Sequence, residues 1–127
     1  MQLTPFVRID GKPFSAGPHD IAQAWGAPAH RGRNAVGLNE YDYGRVVFRF
    51  QDSGRLEEVT AHAPVVEFGR VAVPFASLRH FVSAQDAGLF ERAGFLVSPA
   101  FGVAFAPDSP AWVTALARHC IDTWRAL

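Results

Sequence analysis

The sequence predicts an α+β fold: a mostly antiparallel sheet, arranged as a meander, covered by a short N-terminal helix, a middle helix and a longer C-terminal helix. Three observations lead there. A punctuated helical segment around 18–25 precedes a stretch, 41–63, whose apolar residues recur with a period of two. Helical spacing returns after Pro74 in Phe75, Leu78, Phe81 and Val82. It returns once more near the end, in Val113, Leu116, Ala117, Cys120, Ile121 and Trp124.

Phe6–Ile9 reads as a short strand, and Asp10-Gly11-Lys12-Pro13 carries turn chemistry. In the first helix Gly17 stands at the N-cap and Pro18 at the first helical position, where no N–H is needed. Asp20 falls in the first turn, opposite the positive helix end. Ile21 and Trp25 share a face, and Gly26 and Pro28 end the helix. Residues 29–39 read as a polar loop. Val46, Phe48 and Phe50 then alternate with Val47 and Arg49, Asp52-Ser53-Gly54 turns the chain, and 56–63 returns with Val59 and Ala61 on one face. Val65–Phe68 and Val71–Val73 flank Gly69-Arg70 as a hairpin. After the middle helix, Asp86–Arg92 reads as a further helical turn, and Phe95–Val97 and Val103–Phe105 as short strands. Ser109 and Pro110 open the last helix, about four turns long by its apolar stripe. The order helix-then-strands occurs twice, but the residues barely repeat, so the pattern alone does not establish a duplication.

Composition narrows the function classes. The 127 residues are 49% hydrophobic and 13% aromatic, enough for one core in a single domain, 1–127, and too apolar for disorder. Twelve basic residues balance twelve acidic ones, which argues against nucleic acid or an anionic membrane as the partner. The one cysteine, Cys120, permits no internal disulfide. The start lacks a basic region followed by an apolar run, and no stretch is apolar enough to span a bilayer. The expectation is a cytoplasmic protein.

Catalytic motifs are scarce. None of His19, His30, His62, His80 and His119 pairs at i, i+4 or sits beside a carboxylate at ligand spacing, so no metal or cofactor is expected. Cys120 lies on the apolar stripe, where a buried thiol is the ordinary reading, and neighbouring His119 would point about 100° away on a helix. Glu57 and Glu58 are adjacent on a strand and should face opposite sides. No serine stands in a Gly-x-Ser-x-Gly elbow, and no glycine cluster matches a phosphate loop. The chain therefore reads as a non-enzyme. Arg31, Arg33, Glu40, Tyr41, Asp42 and Tyr43 are the candidate partner-binding residues, since Arg and Tyr are favoured interface anchors. The competing reading is an ordinary solvated loop followed by a strand whose tyrosines face the core.

One stretch carries a resemblance. Gly17–Pro28, Tyr41-Asp42-Tyr43-Gly44, Val46–Phe50 and Gly54–Val59 resemble the helix-plus-meander unit of the β-lactamase-inhibitor-protein-like fold, shared by small outer-membrane assembly lipoproteins. The Gly-x-Pro after Trp25 stops the helix so that the chain can return as strands beneath it. The whole chain is similar to the immunity proteins encoded beside bacterial polymorphic toxins. That resemblance implies a cytoplasmic protein that binds a cognate toxin domain and occludes its active site. The missing lipoprotein signal and N-terminal cysteine favour this over an adaptor in the cell envelope. A small-molecule binder or enzyme is the other alternative, with His62, Glu67 and His80 as first candidates.

Overall fold

In the computed structural model, which describes residues 1–127, the chain opens with three short strands: β1 (Gln2–Thr4), β2 (Arg8–Ile9) and β3 (Lys12–Pro13). Helix α1 (Pro18–Trp25) follows, punctuated as its sequence implies. Asp20 Oδ2 accepts from the Gly17 N–H at 2.8 Å, and Gly26, at φ 78°, takes the backbone conformation that ends the helix. Four strands then form a meander: β4 (His30–Arg33), β5 (Asn39–Asp42), β6 (Val46–Phe50) and β7 (Leu56–His62). The predicted hairpin is β8 (Val65–Phe68) and β9 (Val71–Pro74). Helix α2 (Phe75–Gln85) precedes a second meander, β10 (Phe90–Arg92), β11 (Phe95–Ser98), β12 (Val103–Phe105) and β13 (Trp112–Leu116). The chain closes with α3 (Cys120–Arg125).

The strands make two sheets. The smaller runs β3-β2-β1-β8-β9, with β1 parallel to β8. The larger has eight antiparallel strands in the order β10-β11-β12-β13-β7-β6-β5-β4. It is two four-stranded meanders joined edge to edge, each preceded by a helix, with β7 and β13 antiparallel at the centre and Thr60 opposite Thr114. The weak repeat in element order is thus a repeat of architecture.

The main core gathers residues from both sheets and both longer helices. Phe48, Phe50, Val59, Val103, Phe105, Val113 and Ala115 from the large sheet meet Leu3, Val66 and Val73 from the small one, with Ile21 of α1 and Leu78 and Val82 of α2. Leu78 and Val82 are fully buried, and each such side chain contributes about 1.5–3 kcal/mol. The opposite face of the large sheet is covered only in part. There α3 packs Cys120 and Ile121 with Val97, Ala104 and Leu116 in a second, smaller cluster.

Four expectations are corrected. The C-terminal segment is not one long helix: Trp112–Leu116 is a strand and α3 has six residues, fewer than α2. Val113 and Ala115 enter the main core while Leu116 enters the second cluster, so both sides of β13 are apolar and the alternation that marks a strand is lost. The polar loop 29–39 contains β4, an edge strand with no buried residue. Asp86–Arg92 gives a strand, β10, in place of a helical turn. Finally, Glu57 and Glu58 do not face apart. Phe48 pairs with Val59 and Arg49 with Glu58, but Phe50 pairs with Leu56, so Glu57 is the extra residue of a β-bulge. The bulge sends Leu56 into the core and turns Glu57 to the side of Glu58.

Candidate functional site

The uncovered part of the large sheet's outer face is polar in its floor and aromatic at its rim. Strand register sets Glu40 opposite Arg49 and Arg49 opposite Glu58, a row of alternating charge across three strands. Arg49 Nε donates to Glu40 Oε2 at 2.6 Å, and its Nη1 donates to Thr60 Oγ1 at 2.6 Å. The Thr60 hydroxyl also shares a hydrogen bond with the Thr114 hydroxyl, 2.8 Å away across the central strand pair. Burial pushes the Glu58 carboxyl up, against the opposing pull of Arg49 and the Trp124 indole. Val36, Phe95, Trp112 and Trp124 stand around this floor and enclose a cleft of about 580 Å³. Trp112 is 38% exposed, large for a tryptophan whose neighbours along β13 are all buried.

A second cleft of about 650 Å³ adjoins it, sharing Val36, Glu58, Phe95 and Trp124. The bulge places Glu57 here, and the tight turn into α3 brings His119 and Cys120 over it. Glu57 Oε1 accepts from Arg55 Nε at 3.3 Å. Its Oε2 meets both His119 Nε2 and Cys120 Sγ, the latter at 2.9 Å. The three donor atoms lie within 4.8 Å of one another. Burial, followed by the hydrogen bond to Glu57, pushes the Cys120 thiol far up, so on its own it is a neutral thiol and not a nucleophile at neutral pH. Cys120 is buried as expected, but among polar partners that the sequence did not point to.

The six candidate partner-binding residues divide between the two faces of the first meander. Glu40 and Asp42 share the side of Arg49 and Val47, whereas Tyr41 lies opposite Phe48 on the core side. Tyr41 packs edge-on against Phe50, and Arg31 lies 4.5 Å above the Tyr41 ring. Tyr43 packs against Trp25 and donates its hydroxyl to the Gly26 carbonyl at 2.9 Å, tying the meander to α1. Burial pushes its phenol up. Arg33 pairs with exposed Asp52 at 2.6 Å, and Asp42 Oδ1 accepts from the Gly44 N–H at 2.7 Å. Only Glu40 of the six lines either of these two clefts. His62 packs on Trp112, while neither Glu67 nor His80 lines either cleft.

Among the residues that line the clefts, Arg49, Thr60, Phe95 and Trp112 carry no functional signal in the sequence. Arg49, Glu58 and Thr60 alternate with core residues on β6 and β7, a signal that marks their face but not what faces them. Glu57 and His119 are 62 positions apart, and only the bulge and the central strand pair bring them together. No protein family matches this chain, and no curated protein or solved structure matches it either. No helix is long and apolar enough to cross a membrane.

Proposed function

We propose that this protein is an immunity protein, which binds a cognate bacterial toxin domain in the cytoplasm and blocks it by covering its active site. One observation carries the mode of binding: the outer face of the joined meanders presents a pre-organised polar floor with tryptophans at its rim. Eight strands at about 4.8 Å span roughly 34 Å, wide enough for a standard interface of about 800 Å² per partner. Tryptophan and arginine are the residue types that most often dominate such interfaces. Arg49 is held by the Glu40 carboxylate and the Thr60 hydroxyl, so the floor needs little ordering when a partner docks. The similarity of the whole chain to toxin-associated immunity proteins supports the immunity class, while the helix-plus-meander resemblance of Gly17–Val59 bears on architecture alone. The zero net charge fits a partner recognised by shape and local charge.

The test is co-purification with the product of a neighbouring toxin gene, with a growth-protection assay. The expected result is a 1:1 complex and protection, with Trp112→Ala or Thr114→Arg weakening binding by at least about tenfold. Absence of both binding and protection, or binding indifferent to those substitutions, overturns the proposal. A second reading, a small-molecule binder, is favoured by the cleft of about 650 Å³ beside Glu57, His119 and Cys120, a volume that suits a small ligand.

A further inference from the structure

We propose that Glu57, His119 and Cys120 form a zinc(II) site with three protein ligands and a fourth position open to the adjoining cleft. The donor set is a thiol sulfur, an imidazole nitrogen and a carboxylate oxygen, and the three atoms lie within 4.8 Å of one another. Zinc binds such atoms at about 2.3 Å (sulfur) and about 2.0–2.2 Å (nitrogen and oxygen), so a tetrahedral ion spaces its ligands roughly 3.2–3.8 Å apart. Cys120 Sγ and Glu57 Oε2 are already 2.9 Å apart, and seating the ion takes side-chain shifts on the order of 1 Å.

The surroundings suit a metal. The bulge fixes the Glu57 backbone, and Arg55 holds Oε1, leaving Oε2 as the single ligating oxygen. Glu57 and Cys120 are buried, while His119 is exposed at the mouth, which leaves a path for the ion to enter. The soft thiolate favours zinc over magnesium or calcium. On binding, the S–H bond breaks, an S–Zn bond forms and the proton passes to water. The bound thiolate and carboxylate together neutralise the dication. Three ligands leave a fourth position for water or a donor from a partner, and it opens on a cleft lined by Gln51, Thr123 and Trp124.

The experiment titrates the full-length protein with zinc against a chromophoric chelator and, separately, with cobalt(II), whose near-ultraviolet charge-transfer band reports a thiolate ligand. The expected result is one zinc per chain and a cobalt band that Cys120→Ser abolishes. His119→Gln should weaken zinc binding by at least about tenfold in a chain that still melts cooperatively without metal. Arg55→Ala should weaken it by about tenfold with the cobalt band retained, since Arg55 orients a ligand without being one. Zinc that stays wholly with the chelator overturns the proposal. So does a cobalt band that survives Cys120→Ser, or zinc affinity unchanged in His119→Gln.

Discussion

Asp86 follows the last turn of α2, and its buried carboxylate gathers three hydrogen bonds. Gly88 N–H donates to Oδ1 at 2.8 Å, and the Ser98 hydroxyl and Ala100 N–H donate to Oδ2 at 2.7 and 3.0 Å. Burial alone would raise this carboxyl, but the Ser98 hydroxyl and the Ala100 and Gly88 amides outweigh it and hold it below the ordinary value. The folded state therefore favours the ionised form. Its contribution to stability is complete above the unfolded Asp value of about 3.9 and is lost as the pH falls through the lower folded value. Asp86→Asn sets an amide N–H₂ against these donors. It should cost about 1–3 kcal/mol at neutral pH and flatten the acid limb of the stability curve, both read from urea unfolding over a pH series.

At the scale of elements, β13 is the strand on which the large sheet depends. It pairs with β7 on one side and β12 on the other, and its side chains feed both apolar clusters. Leu116→Ala empties a fully buried position and should destabilise the protein by about 2–5 kcal/mol, measured by chemical denaturation. The sequence made α1, the strands from 39 to 74 and α2 legible, because capping residues, period-two alternation and glycine turns are local signals. It concealed β13, since a strand apolar on both sides loses its alternation, and Val113, Leu116 and Ala117 then coincide with helical spacing. It concealed β4 for the opposite reason: with every residue exposed, that strand has no apolar pattern at all. The candidate site was the least legible part. Glu57 reaches the cleft through a register shift, and a shift of one residue leaves no mark in composition or period.

Across the whole molecule, the two helix-plus-meander units share one main core. Ile21, Phe48 and Val59 from the first half pack with Leu78, Phe105 and Val113 from the second, and β1 pairs with β8 across the division. Fragments 1–63 and 64–127, expressed apart, should each give the poorly dispersed amide spectrum of an unfolded chain, and mixing them should restore dispersion. The joined meanders also leave the large sheet with two free ends, β4 and β10. An open ladder of N–H and C=O groups is a template on which further chains can add strands. Here β4 exposes Arg31 and Arg33 on a strand interrupted by Gly32, and β10 is three residues long with Glu91 and Arg92 exposed. Charge and brevity at the two ends discourage polymerisation, so the sheet can keep its broad face accessible while its borders resist recruitment of another copy.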